Sequence, residues 1–132
     1  MRDNPKDRRK HTRVSLQLEA ELRLDSGITV TGKIKNISFS GVFINCVDPT
    51  SIPVGNDGSL KIFLQAVPHA NVITFRCQVV RTDESGAGIR FINIDVEGYH
   101  QFKNLMIYNS TDPDILLAEL EKNPGLDIYK SD

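Results

Sequence analysis

The sequence has no tryptophan, two cysteines and no apolar run near the ~20 residues that span a bilayer. Each shortage excludes something. A groove for single-stranded nucleic acid needs exposed aromatic rings beside basic residues. Here tryptophan is absent and most phenylalanines fall in apolar phase, so no nucleic-acid polymer is expected. Cys46 and Cys77 stand far apart, with no CxxC and no neighbouring histidine. That spacing suits neither zinc nor a disulfide, and two small apolar side chains on strands account for both. The N-terminus is basic but lacks the apolar stretch of a signal peptide, so export and membrane insertion are not expected and a reducing cytoplasm fits. His11, His69 and His100 are scattered without metal-ligand spacing, and the acids are dispersed. GxSxG, HExxH and Walker patterns are all missing. No enzyme, metal or cofactor is expected.

What is present is a domain-sized chain of 132 residues with 39% hydrophobic and 25% charged content, enough for one core. The net charge of -1 hides an asymmetry. Residues 1–13 carry +4 and residues 14–132 carry -5. A nucleic-acid-binding domain spreads positive charge over its surface. Here it is concentrated on a short arm containing Arg8, Arg9, Lys10 and Arg13, which favours a compact anion over a polymer.

Past the arm, Val14, Leu16, Leu18, Ala20, Leu22 and Leu24 alternate with Ser15, Gln17, Glu19, Glu21 and Arg23. Period two predicts a long half-buried strand. "DSG" at 25–27 is turn chemistry. "ITVTGKIKNI" predicts a second strand, with Gly32 marking a bulge or bend. "SFSG" is a turn, and "VFINCV" predicts a short third strand. A loop over 48–58 leads to "SLKIFLQ", then "VITFRCQVVRT" and "AGIRFINI", the fourth to sixth strands. After Asp95 the period becomes helical through Val96, Tyr99, Phe102 and Met106. "TDP" offers Asp112 as N-cap and Pro113 at the first position of a second helix, which "NPG" stops. Six short strands separated by turns predict a small antiparallel barrel. The expected organisation is a flexible arm over 1–13, a barrel over 14–94, C-terminal helices over 95–125 and a tail over 126–132.

Two segments stand out together. "RKHTR" places Arg9 and Arg13 in an RxxxR spacing, and "NISFSG" holds Asn36, Ser38 and Gly41 in an NxSxxG spacing. In this order, two strands apart, they resemble the paired signature of PilZ domains. "PVGNDGSLKIFL", "CQVVRTDESGAGIRF" and a C-terminal helix continue the likeness over nearly the whole chain. The resemblance implies a mainly β fold: a six-stranded antiparallel PilZ-type β-barrel with a C-terminal helical segment. It implies a non-catalytic receptor for the bacterial second messenger cyclic di-GMP, with Arg8, Arg9, Arg13, Asn36, Ser38 and Gly41 at the site.

The chemistry agrees. Guanine presents O6 and N7 as an acceptor pair that suits a bidentate guanidinium. A guanidinium also stacks on purines and pairs with phosphate. Asn36 offers a donor and an acceptor, Ser38 a hydroxyl, and Gly41 either a special backbone angle or a close approach. Asn stands at position 36 where the family also uses Asp, which removes a negative charge from an anion site. In the family, an Arg directly before RxxxR, here Arg8, is associated with an intercalated pair of ligand molecules. A solvent-exposed charge explains Arg8 equally well. Output is expected through a downstream protein partner or a change between monomer and homodimer. The alternatives are a ligand-independent motility or pilus scaffold and, less favoured, a small barrel for single-stranded nucleic acid.

Overall fold

The computed structural model describes residues 13–64, 72–122 and 125–130. Strand β1, Val14–Leu24, buries Val14, Leu18, Ala20, Leu22 and Leu24. Its polar residues take the opposite face, as period two requires. β2 (Thr29–Ile37), β3 (Gly41–Asn45), β4 (Asp57–Phe63), β5 (Val72–Thr82) and β6 (Gly86–Asp95) follow in chain order. They pair antiparallel in the order β3-β2-β1-β4-β5-β6, and a further β3–β6 pairing closes the sheet on itself. Closure removes the free edges of those strands.

Helix α1, Val96–Asn109, covers the barrel. Asp95 caps it, its Oδ1 accepting from the Gly98 N–H at 2.7 Å. α2 spans Pro113–Lys122, and Asp112 Oδ1 accepts from the Ile115 N–H at 3.3 Å, the capping role expected of that residue. α1 buries Phe102 and Met106, whereas Val96 at its first position is 37% exposed. The helical stripe is therefore narrower than its spacing predicts. Phe102 completes an aromatic cluster. Phe75 and Phe91 stack at 4.0 Å, and Phe102 meets Phe39, Phe75 and Phe91 edge-on at 5.0, 5.0 and 5.6 Å. Each such buried side chain stabilises the fold by roughly 1.5–3 kcal/mol.

Three details differ from the sequence reading. β3 ends at Asn45, and Val47 is 93% exposed. Residues 127–129, read as tail, form β7 (Asp127–Tyr129), parallel to β6. Gly32 sits in regular register opposite Ala20, and the β1–β2 irregularity lies between Ser15 and Leu18. Gly32 instead lets β2 approach β3, since a Cβ there would meet the Asn45 carbonyl. Both cysteines are free, Cys77 buried and Cys46 half-buried. Burial pushes the Cys77 thiol up to about 12 and raises Cys46 as well. Among the described residues no helix is long and apolar enough to cross a membrane, and no cluster could hold a metal ion.

Candidate functional site

Antiparallel pairing explains how segments far apart in sequence meet. The start of β1 lies against the end of β2, with Val14 opposite Ile37 and Ser15 opposite Asn36. Arg13, immediately before β1, therefore stands beside the turn at 38–41. Irregular register there has a second effect. Ile34 and Ile37 are both buried, while Lys35 and Asn36 between them are both exposed. A bulge breaks period two and turns two consecutive side chains outward. Ser15 Oγ donates to Asn36 Oδ1 at 3.2 Å, which fixes the amide and leaves its NH2 as a donor.

Ser38 is the buried polar side chain among the described residues, 8% exposed. Its Oγ accepts from the N–H groups of Ser40 and Gly41 at 3.2 and 3.3 Å and shares a hydrogen bond with the Ser40 hydroxyl at 3.0 Å. The Ser38 N–H donates to the Gly41 carbonyl at 3.0 Å. The hydroxyl is thus spent on the turn. Gly41 is needed for proximity, not for an unusual φ: a Cβ there would meet the Ile89 carbonyl on β6. Phe39, between these two residues, is fully buried and lies against Phe102 of α1, so the turn is anchored in the core.

These residues edge an open groove of about 350 Å³ on the outside of β2, β3, β5 and β6. That volume lies within the ~300–1,000 Å³ common for small-molecule sites. Among the described residues four cations line it, Arg13, Lys35, Arg81 and Arg90, and no acid does. Arg90 Nη2 donates to Gln78 Oε1 at 2.8 Å, and Arg81 lies over the Phe43 ring. The structure thus brings Arg13, Asn36, Ser38 and Gly41 together. Arg8 and Arg9 lie outside the described residues, as do His11 and His69. Sequence reading missed Lys35, Phe43, Arg81 and Arg90. The available signal was the outward-phase arginine of "GIRF", between two apolar residues; Arg81 of "VVRT" shares the phase of Val79 and gave no such signal.

The family model for the PilZ domain matches residues 7–108. The chain belongs to the PilZ family. Solved PilZ structures share the fold. The PilZ domain of CeSA from a cellulose-synthesizing bacterium is 13% identical, with a TM-score of 0.60 over 74% of this chain and 96% of that one. The PilZ domain of YcgR from Escherichia coli, solved with c-di-GMP, is 13% identical, with a TM-score of 0.58 over 89% and 99%. The Bacillus subtilis inhibitor of motility MotI is 21% identical, with a TM-score of 0.59 over 77% of this chain and 50% of that one. No curated protein matches the chain. In this PilZ chain both halves of the paired signature are present in sequence, and the NxSxxG half forms a wall of the cationic groove.

Proposed function

We propose that this PilZ chain is a non-catalytic cytoplasmic receptor for cyclic di-GMP. The ligand is clasped between the arm arginines Arg8, Arg9 and Arg13 and the turn from Asn36 to Gly41. The observation that carries this reading is the groove itself: among the described residues, four cations and no acid around the NxSxxG turn, at the point where the arm joins the barrel. Two phosphates need positive charge, and two guanines need donors for O6 and N7. Arg13 supplies a guanidinium fork and the Asn36 amide supplies donors. Ser38 is a positioning residue, because its hydroxyl already serves the backbone of Ser40 and Gly41. YcgR, a PilZ structure of the same fold, was solved with c-di-GMP, which supports the ligand class. Capture of the ligand by the arm arginines would present a new surface to a downstream protein.

The test is calorimetric titration with cyclic di-GMP, cyclic di-AMP and GTP. Selective, saturable uptake of cyclic di-GMP is expected. Adenine carries an amino donor where guanine has O6, so an arginine fork loses its match. Equal uptake of cyclic di-AMP would remove the guanine-reading role, and no uptake would favour a ligand-independent scaffold. The same titration gives stoichiometry. With Arg8 beside Arg9, two molecules per chain are expected, and Arg8→Leu shifts the ratio toward one. Wild type saturating at one molecule would strip Arg8 of this role and leave the receptor reading standing.

A further inference from the structure

Phe43 on β3, Gly88 on β6 and Arg81 on β5 form one cross-strand row, with Gly88 directly opposite each of the other two. All three line the cationic groove. Gly88 has no side chain, so its neighbours meet over it. The guanidinium carbon of Arg81 lies 5.2 Å from the Phe43 ring centroid, within the ~6 Å reach of a cation–π contact. A Cβ on Gly88 would come within 3.0 Å of Arg81 Cγ and 3.1 Å of Arg81 Nε, and its next neighbour is Arg81 Cδ at 3.6 Å. The notch above Gly88 is therefore filled by the Arg81 side chain and not by backbone.

The register that creates this row is irregular. β5 shifts against β6 between Val79 and Arg81, and Val80 and Arg81 are both exposed. The bulge re-aims Arg81 into the groove. Among the described residues the Arg81 guanidinium donates no hydrogen bond. Its charge acts only at longer range on Asp83, whose carboxyl is held below its ordinary value first by hydrogen bonds from Ser85. Arg90, one row away, differs: its Nη2 is tied to Gln78 at 2.8 Å. Arg81 thus rests on an aromatic ring with its donors uncommitted.

We infer that Arg81, supported by Phe43 and seated in the notch over Gly88, is a base-stacking residue that takes one guanine of the bound dinucleotide on its guanidinium face. This rests on the cyclic di-GMP reading of the groove. A planar guanidinium stacks on purines, and a lysine ammonium of equal charge does not. Arg90 and Lys35 supply charge to the phosphates, and Arg81 supplies the plane.

The experiment is calorimetric titration of the full chain with cyclic di-GMP for wild type, Arg81→Lys, Arg81→Ala and Gly88→Ala. Arg81→Lys keeps the charge and loses the plane. It should weaken binding about as much as Arg81→Ala, roughly 5- to 150-fold, the span of base stacking on a side chain. Gly88→Ala leaves every groove charge in place and displaces the Arg81 stem, so it should weaken binding in the same sense. Its melting temperature should stay near wild type, because the three atoms nearest the added Cβ all belong to the Arg81 side chain. Wild-type affinity in Arg81→Lys would overturn the inference, since charge alone would then suffice. Wild-type affinity in a folded Gly88→Ala would overturn the seating role of the notch. Should Gly88→Ala fail to fold, Arg81→Lys still decides the stack. If wild type itself takes up no cyclic di-GMP, the receptor reading falls, which is distinct from uptake unchanged by Arg81→Lys.

Discussion

Two grooves of similar volume, about 350 and 390 Å³, lie on the outer surface of this barrel. Both have an outward strand arginine in the wall. In the first, Arg13, Lys35, Arg81 and Arg90 line the wall, with no acid among the described residues there. In the second, between β5 and α1, Arg76 is bound in bidentate fashion by Asp25, at 3.0 and 2.7 Å, and Asp95 and Glu97 add further carboxylates. Asp25 belongs to the β1–β2 turn and Asp95 is occupied as the cap of α1. An outward arginine is structural where a neighbouring turn supplies its carboxylate. It is free for an anion where none does. The uncompensated cluster places like charges close together, an arrangement that helps binding more than folding.

The largest expected effect tests whether the two faces are independent. Phe102 touches Phe39, in the turn that edges the cationic groove, and Phe75, which borders the second groove. Phe102→Ala should lower stability by about 3–5 kcal/mol, the usual cost of emptying a buried aromatic site. Chemical denaturation measures this, and titration of whatever remains folded should show weakened ligand uptake. Wild-type affinity in a folded Phe102→Ala would mean that the aromatic anchor does not shape the groove.

A sharper contrast comes from exchanging one arginine on each face. Arg9→Ala and Arg13→Ala should each cost on the order of 1–3 kcal/mol in cyclic di-GMP binding, the scale of a bidentate base contact. Their melting temperatures should barely move. Arg76→Ala should do the reverse, leaving affinity intact and lowering thermal stability slightly. A loss of affinity in Arg76→Ala would place ligand on the wrong face.

Smaller still is the cap. Asp95→Ala removes the acceptor for the Gly98 N–H and should cost about 1 kcal/mol of stability by thermal or urea unfolding. Binding in the first groove should persist, because α1 reaches that turn through Phe102 and not through its N-terminus.

The smallest effect is a pH dependence confined to the second face. The hydrogen-bonded Arg76 guanidinium holds the Asp25 carboxyl below its ordinary value. The folded chain therefore binds that proton less readily than the unfolded chain. The resulting stability is complete above the ordinary carboxylate range and is lost as pH falls through the lowered folded value. Asp25→Asn should remove this acid-side slope in melting temperature and leave binding at neutral pH unchanged. An unaltered slope would show that other carboxylates account for it.

The period-two pattern from Val14 to Leu24 and the change of period after Asp95 made the strands and helices legible, because burial on one face leaves a regular trace in sequence. Asp112 and Pro113 announced the second helix start for the same local reason. RxxxR and NxSxxG were legible as spacings. Their meeting was not: it depends on β1 pairing antiparallel with β2, a contact between residues about twenty positions apart. Arg81 left no outward trace, because it shares the phase of buried Val79 and Cys77. Bulges turn Lys35 and Arg81 outward, and barrel closure through β3–β6 brings Phe43 over Gly88. Sequence alone determined the faces of the strands and the chemistry of the motif, since both rest on near neighbours. Only the tertiary structure decided which arginines are paired and which line an open groove, because a carboxylate such as Asp25 lies 51 residues from the guanidinium it neutralises.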